Sequence, residues 1–326
     1  MLAGPLPPPV SAMPRLLASL VLALGLSLPA AAADLAKLRA AFASVRFIAY
    51  SPSAYTDGGL VGRDAIRRDL LILAPDFDGI VTYASDNGSE QVAALARETG
   101  IRAVILGVHN PANTTELDTA IRLAREYPEV VVAICVGNEG LISHRYDWPT
   151  LRRGLDHVRA ALPELPLTTG EPFVIHLEWT PPGFFDAQDF IGVNIHPLFE
   201  GWFTPDKLDA GMDYLDAILG KVIARAPGKP VMIKETGVPG QPGGEWSPAV
   251  QAGFWTRVER RFPRNGDRAF SAFEAFDAPW KPALIARDFK DYGGTVDPRE
   301  AYWGFYTVDG EPKPVVGELR AQRRGP

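Results

Sequence analysis

The sequence offers little of what marks a disulfide framework, a metal centre or a nucleic-acid partner. Cys135 is the single cysteine among 326 residues, so the chain forms no intramolecular disulfide, and its apolar surroundings predict a small buried side chain. The five histidines show neither HExxH nor any other paired ligand spacing, so we expect no metal. A net charge of −6 without a basic patch argues against nucleic acid as a partner.

Long apolar runs are also scarce, and the one near the N-terminus is too short to cross a bilayer. It extends from Leu16 to Leu28, follows Arg15, and precedes small residues around Ala33. This order is typical of a cleaved secretory signal peptide, so we expect residues 1–33 to be removed and the protein to be secreted or periplasmic. An uncleaved membrane anchor is the alternative, and Met13 is an alternative start.

Beyond residue 34, apolar runs rich in β-branched residues alternate with segments of helical periodicity. The predicted strands are Arg46–Ser51, Gly79–Tyr83, Ala103–Val108, Val131–Val136, Leu165–Thr169, Phe190–Ile195, Val231–Lys234 and Ala269–Phe276. This alternation predicts an α/β fold, a single (β/α)8 TIM barrel over residues 34–326. An open doubly wound sheet is the competing fold, but the glycine-rich phosphate turn typical of it is missing, and with it any sign of a nucleotide cofactor.

Two glutamates stand where predicted strands end. Glu139 closes the stretch VVAICVGNE, and Glu235 follows the strand in KPVMIKETGVPG. The carboxyl ends of barrel strands carry the chemistry of this fold, and two carboxylates facing one cleft are the minimal equipment for cleaving a glycosidic bond. The alternative is structural: Glu139 could cap a helix, and Glu235 could be a solvated loop residue.

The loops after the strands are rich in acidic, amide and aromatic residues, and in a barrel they converge on one face. Aromatic rings with polar edges suit pyranose sugars, whose C–H faces stack on them. Trp202 and Trp246 are candidate sugar platforms, whereas Trp255 lies at apolar helical spacing and is expected in the core. Residues left open between site and scaffold are Tyr50, Asp86, Glu274 and Glu300.

Five motifs resemble glycoside hydrolase family 17, which contains β-1,3-glucanases and, in a bacterial branch, β-1,3-glucanosyltransferases. They are VGNE from Val136, GVNIHP from Gly192, KETGVP from Lys234, FDAPWK from Phe276 and REAYWGFY from Arg299. They occur in the family's order and span nearly all of the chain after the predicted signal peptide. The resemblance implies a glycosidase that uses no cofactor or metal and acts on β-glucan; a monomer is expected.

The resemblance also implies roles for individual residues. Glu139 would be the general acid/base and Glu235 the nucleophile. The predicted substrate-binding residues are Asn138, Tyr83, Asn194, His196, Trp280, Lys281, Glu300 and Trp202. The chain departs from the family at Val238, often Trp, at His196, commonly Tyr, and at Ala278, where a Glu is usual. These departures leave subsite geometry and the balance of hydrolysis and transfer open.

Retaining chemistry requires one glutamate charged and the other protonated. We expect Tyr83 or His196 to stabilise the Glu235 anion, the charge of Glu235 to keep Glu139 protonated, and Asn138 to bond the sugar 2-hydroxyl. Two other functions stay open at this point: a catalytically silent periplasmic glucan-binding barrel, and a related barrel hydrolase acting on another β-glycan such as a β-mannan or β-galactan.

Overall fold

A closed barrel of eight parallel strands forms the centre of the protein. The computed structural model describes residues 33–56, 59–290 and 295–324. The predicted signal peptide, up to residue 32, lies outside the described residues. Among the helices of the described ranges, none is both long and apolar enough to cross a bilayer.

Each strand pairs in parallel with its sequence neighbours, and β1 pairs with β8 to close the cylinder. The strands are β1 Phe47–Tyr50, β2 Gly79–Thr82, β3 Ala103–Val108, β4 Val131–Asn138, β5 Leu167–Pro172, β6 Ile191–Asn194, β7 Val231–Glu235 and β8 Arg268–Ala272. The prediction of a single TIM barrel is confirmed, because all eight predicted strands are present in the predicted order.

The eighth strand is shorter than predicted. It ends at Ala272 rather than Phe276, because the residues that follow turn away from the barrel to pair with a later segment. Ala275 accepts from the Tyr306 N–H at 3.0 Å, and Glu274 accepts from the Phe305 N–H at 2.9 Å. The first part of the predicted apolar run is a strand, but its last part forms a loop over the barrel mouth instead of lengthening β8.

Helices cover the outside of the barrel. They are α1 Ala36–Ser44, α2 Arg63–Leu73, α3 Val92–Thr99, α4 Thr114–Glu126, α5 Trp148–Ala161, α6 Phe173–Leu177, α7 Leu208–Arg225, α8 Pro248–Arg261, α9 Lys281–Asp288 and α10 Pro314–Arg324. Six of these helices (α2, α3, α4, α5, α7 and α8) lie in the segments of helical periodicity between the predicted strands, and Ser247 caps α8 by accepting from the Val250 N–H. The prediction missed α1, α6, α9 and α10; α6, for instance, is too short to show a helical period.

Helix α1 closes the amino-terminal end of the barrel. Its Phe42 packs edge-on against Phe47 at the start of β1 and Phe190 just before β6, with ring centroids 6.4 and 5.8 Å apart. Cys135 lies in this inner layer as a buried free thiol, and Trp255 is buried between α8 and the barrel, both as predicted. With the amino end filled, the carboxyl end is the open mouth.

Buried carboxylates on outer helices hold the loops at this mouth. Glu116 of α4 is 1% exposed and accepts from the backbone N–H groups of Ser85 at 3.2 Å, His109 at 2.6 Å and Asn110 at 3.0 Å. The loops after β2 and β3 are thereby fixed to one side chain. Asp69 of α2 plays the same part for the loop after β1, through the backbone and hydroxyl of Ser53.

We expect the substitution Glu116→Gln to lower the free energy of unfolding by about 1–3 kcal/mol, because an amide NH₂ would face at least one buried backbone donor. The matched control is Glu129→Gln, an exposed pair partner of Arg97, for which a change of less than about 1 kcal/mol is expected. Urea denaturation of both variants measures the difference. Equal effects would show that Glu116 does not hold the loops.

Candidate active site

The fold brings Glu139 and Glu235 to the same mouth of the barrel. Glu235 is the last residue of β7, and Glu139 directly follows β4. Asn194 of β6 links them: it lies in register beside Glu235, and its Nδ2 donates to Glu139 Oε1 at 2.8 Å. Two residues that are far apart in the sequence therefore share one neighbour at the carboxyl ends of the strands.

Both of these strands carry an extra residue just before the glutamate. Three steps along β4, from Cys135 to Asn138, match two along β5, and two steps along β7, from Ile233 to Glu235, match one along β6. Such bulges re-aim side chains near active sites. Glu139 itself has φ 51°, a left-handed conformation that costs a non-glycine residue about 1–3 kcal/mol.

Lys234 connects three strands at the centre of the site. Its buried Nζ lies 2.8 Å from Glu235 Oε1, 2.8 Å from Asn138 Oδ1 and 4.3 Å from the centroid of the Tyr83 ring. Lys234 was not among the predicted site residues, although it is part of the KETGVP motif. Regular strand alternation would aim Lys234 and Glu235 to opposite faces; the bulge in β7 lets both reach the mouth.

The surroundings drive the two carboxyl groups toward opposite protonation states. For Glu235, burial opposes ionisation, but the Lys234 ammonium and the hydrogen bonding and charge of His196 outweigh it and hold its pKa well below the usual range. For Glu139, burial and then the charge of Glu235 raise the pKa, against a smaller opposing effect of the Asn194 hydrogen bond. The site thus pairs a stable carboxylate with a proton donor.

An aromatic wall stands beside Glu235. His196 Nε2 is 3.7 Å from Glu235 Oε2, and its ring contacts Phe199, Phe273 and Trp303 edge-on at 5.6, 5.3 and 5.3 Å. Phe199 is 66% exposed, so it forms the outer rim of this wall. His196 was a predicted site residue, whereas the three hydrophobic rings were not, since nothing in an apolar pattern separates a rim residue from a core residue.

Lys281 lies in a buried ionic cluster with Glu274 and Glu300. Its Nζ pairs with Glu274 Oε1 and lies 4.5 Å from the Phe273 ring centroid, and Glu300 accepts from Trp303 Nε1 at 2.9 Å. Burial lowers the pKa of Lys281 to about 8, opposed by the charges of Glu300, Glu235 and Glu139. Burial likewise raises the pKa of Glu300, with the charge of Lys281 opposing it. Glu274, left open by the sequence, is thus a partner of Lys281.

Tyr83 and Tyr50, both considered as site residues from the sequence, have different surroundings. The hydroxyl of Tyr83 is buried beside Glu235, and burial, then the charge of Glu235 and hydrogen bonding to it, raise its pKa well above the usual range. Tyr83 thus lies where it was expected, next to the Glu235 carboxylate, and its ring also contacts the Lys234 ammonium. Tyr50 donates to Asp69 at 3.1 Å, which makes it part of the scaffold.

The predicted tryptophan platforms occupy three different environments. Trp280 is half-buried and packs edge-on against Tyr55 at 4.8 Å. Trp202 is 38% exposed on the loop after β6 and packs edge-on against Phe203 at 5.6 Å. Trp246 is only 3% exposed and stacks on Phe203, so its interpretation as a sugar platform is wrong: a neighbouring ring covers its face.

Among the residues that the structure describes, neither Asp86 nor another acidic residue belongs to a cluster suited to a cation. Within residues 33–56, 59–290 and 295–324, no group of three His, Cys, Asp or Glu side chains is arranged to hold a metal ion. Asp86 is half-buried, and its pKa is raised by burial and then by the charge of Glu90.

Relatives with the same fold are glycosidases by name. A glucan 1,3-beta-glucosidase of Arthroderma benhamiae is 27% identical over 82% of this chain and 93% of its own length. The structure of a glycoside hydrolase family 17 beta-1,3-glucanosyltransferase from Rhizomucor miehei superposes with a TM-score of 0.64, at 22% identity, over 82% of this chain and 95% of that one. An active-site mutant of the Rhizomucor enzyme in complex with laminaritriose gives the same TM-score of 0.64 and 22% identity, over 83% and 96% of the two chains.

The family model of the BtgE/BtgC glycoside hydrolase domain matches residues 48–304. This range extends from the second residue of β1 through β8 and includes the glutamates at the ends of β4 and β7 and the segment that carries Glu300. The prediction of a glycosidase in a family 17-like barrel is confirmed by this match and by the named relatives. The chain belongs to the BtgE/BtgC glycoside hydrolase domain family.

Proposed function

We propose that the protein cleaves β-1,3-glucan with retention of configuration, with Glu235 as the nucleophile and Glu139 as the acid/base. The observation that carries the proposal is the pair of carboxyl groups at one barrel mouth, with the pKa of Glu235 lowered and that of Glu139 raised. The linkage is supported by the names of the relatives, a glucan 1,3-beta-glucosidase and a beta-1,3-glucanosyltransferase bound to laminaritriose.

The first step forms a covalent intermediate. The Glu235 carboxylate attacks the anomeric carbon while the Glu139 carboxyl gives its proton to the departing oxygen, so one C–O bond breaks as an ester bond forms. In the second step Glu139, now a carboxylate, takes a proton from the acceptor, whose oxygen displaces Glu235. Water as acceptor gives hydrolysis, and a sugar hydroxyl gives transfer.

The electrostatics of the site fit this cycle. The charge of Glu235 is one of the two main causes that raise the pKa of Glu139. Esterification removes that charge, so Glu139 then loses its proton more readily and can act as the base that the second step requires. Lys234 remains beside the ester and stabilises the carboxylate that departs in the second step.

The proposed sugar contacts are side chains at the mouth that have an available hydrogen-bonding group or a partly exposed ring. Asn138 uses its Oδ1 to accept from Lys234, so its Nδ2 is the donor for the sugar 2-hydroxyl. The buried Tyr83 hydroxyl lies beside Glu235 and is proposed as a further contact of the substrate. The partly exposed rings of Trp280 and Trp202 offer stacking surfaces. The remaining substrate contacts proposed are Asn194, His196, Lys281 and Glu300.

Export is also part of the proposal. The segment from Arg15 through Leu28 to Ala33 has the order of a secretory signal. A secreted or periplasmic enzyme would meet polymeric glucan outside the cytoplasm. N-terminal sequencing of the exported chain tests this, since a start near Asp34 is expected, whereas a retained apolar segment would indicate an anchor.

We expect the wild-type protein to act on laminari-oligosaccharides and not on β-mannan or β-galactan oligosaccharides. Chromatography of the products distinguishes the two fates of the intermediate: only shorter products mean hydrolysis, and longer or branched products mean transfer. Binding of laminarin without cleavage at any pH would contradict the proposal and indicate a glucan-binding barrel.

The two glutamates should respond differently to azide on an activated aryl glycoside. The substitution Glu139→Ala should reduce turnover of laminari-oligosaccharides by about 10²–10⁴-fold, and azide should attack the glycosyl-enzyme to give a β-glycosyl azide. The substitution Glu235→Ala prevents the intermediate, so azide should give the α-anomer instead, and Glu235→Gln should be inactive with its fold intact. NMR of the products assigns the anomers; exchanged stereochemistry between the variants would reverse the roles.

Removal of the Lys234 charge should move both limbs of the pH profile to higher pH. Lys234 lowers the pKa of Glu235, which must be ionised, and also lowers that of Glu139, which must be protonated. The substitution Lys234→Met should therefore raise the acid limb of kcat/KM by about 1–3 pH units and also raise the alkaline limb. Lys221→Met, a change at an exposed residue of α7, is the control. An unchanged acid limb would mean that Lys234 does not set the state of Glu235.

A further inference from the structure

Glu171 is a fully buried carboxyl group that takes no part in the proposed catalytic steps. It lies near the end of β5 with 0% exposure. Its Oε1 accepts from the Leu141 N–H at 3.2 Å and from the Tyr146 hydroxyl at 3.3 Å, whereas its Oε2 has no hydrogen-bond partner among the described residues. Both donors belong to the loop after β4, which is the loop that carries Glu139.

Tyr146 transmits this contact to the backbone on either side of Glu139. Its hydroxyl accepts from the Gly140 N–H at 3.2 Å. A Cβ on Gly137 would lie 2.3 Å from the Tyr146 hydroxyl, and a Cβ on Gly140 would lie 2.0 Å from the ring. The tyrosine side chain thus fills the space against both glycines, and only glycine permits so close an approach.

The turn between these glycines needs support from outside. Gly137 has φ 78° and Glu139 has φ 51°, so the acid/base residue sits in a left-handed conformation that disfavours a side chain. The Glu139 N–H donates to the Gly170 carbonyl at 2.7 Å, which anchors it to the residue before Glu171. Strand β5 therefore holds the turn twice, once through its backbone and once through Glu171 and Tyr146.

The protonation state of Glu171 is compatible with a position so close to Glu139. Burial raises the pKa of Glu171 to about 8; the Leu141 hydrogen bond opposes this, the charge of Glu139 adds to it, and Tyr146 and Arg145 oppose it. Below that pH the group is a neutral acceptor. It can hold the turn through Oε1 without placing a second negative charge beside Glu139 when Glu139 acts as a base.

We propose that Glu171 and Tyr146 form a positioning pair that holds Glu139 in its left-handed turn and aims its carboxyl group at the leaving-group oxygen. The proposal rests on the proposed function, since it assigns the pair to the proton-transfer half of the reaction. Neither residue is catalytic itself, because each acts through the backbone of the turn and not on the reacting atoms.

The test compares two substrates that differ in their need for a proton. Cleavage of a laminari-oligosaccharide releases a sugar alcohol, a poor leaving group that needs the proton from Glu139. A dinitrophenyl β-laminarioside releases a dinitrophenolate, which leaves without protonation. We expect Tyr146→Phe and Glu171→Leu to reduce kcat/KM on the oligosaccharides by about 10–100-fold and to leave kcat/KM on the aryl glycoside nearly unchanged. On the aryl glycoside kcat should fall together with KM, because breakdown of the intermediate still needs Glu139 as base.

Two further variants define the roles. Glu171→Gln retains a neutral acceptor of the same shape and should keep near-wild-type activity on both substrates, which Glu171→Leu does not. Tyr127→Phe removes a tyrosine hydroxyl that is bonded to the exposed Glu126 and should change nothing. The thermal midpoint of each variant is recorded, and if Glu171→Leu fails to fold, Tyr146→Phe carries the comparison.

Several results would overturn the positioning role. Equal losses on both substrates in Tyr146→Phe would mean a general structural defect, and full activity of that variant on oligosaccharides would mean that the pair does not guide Glu139. If Glu171→Gln lost as much activity on the oligosaccharides as Glu171→Leu, a neutral acceptor at this position would not hold the turn, and the role assigned to Glu171 would be rejected. Failure of the wild type to cleave either substrate would instead reject the proposed function, so the two failures are distinguishable.

Discussion

The site depends on one buried ion pair, that of the Lys234 ammonium with the Glu235 carboxylate. Two carboxyl groups taken out of water at one barrel mouth would both tend to protonate, because burial disfavours each charge and the charges repel. Lys234 breaks this symmetry: it touches one glutamate and, through Asn138, reaches the strand that carries the other. Glu235 is then stable as an anion, and its charge helps to keep the proton on Glu139. Two identical side chains thus take opposite protonation states, one a carboxylate and the other a neutral carboxyl group.

The barrel provides the location of these groups, and irregularities in its strands provide their orientation. A regular parallel strand sends successive side chains to opposite faces, so Lys234 and Glu235 could not meet. The extra residues in β4 and β7, together with the left-handed turn at Glu139, remove that restriction at the two positions where the chemistry requires it. A strained backbone conformation persists only when surrounding contacts hold it in place. The contacts of β5 with the turn at Glu139 hold this turn.

A repeated device in this protein is a buried carboxyl group that fixes a mouth loop. Asp69 holds the loop after β1, Glu116 those after β2 and β3, and Glu171 that after β4. Each accepts from backbone N–H groups that have no partner in a helix or sheet ladder, which answers the requirement that buried donors be satisfied. The loops at the barrel mouth are in this way tied by hydrogen bonds to the helices and strands behind them, and fixed placement is what positions reacting groups.

The sequence by itself determined the eight strands, six of the helices and the place of Glu139 and Glu235 at strand ends, because hydrophobic period and strand-end position are local properties of the chain. The family motifs added His196, Lys281 and Glu300. Only the tertiary structure decided that Lys234 reaches Glu235, that Trp246 is covered by Phe203, and that Glu171 supports the turn at Glu139. Those facts depend on the register between neighbouring strands and on which loop packs over which, and a one-residue bulge that reverses the direction of a side chain leaves no periodic signal in the sequence.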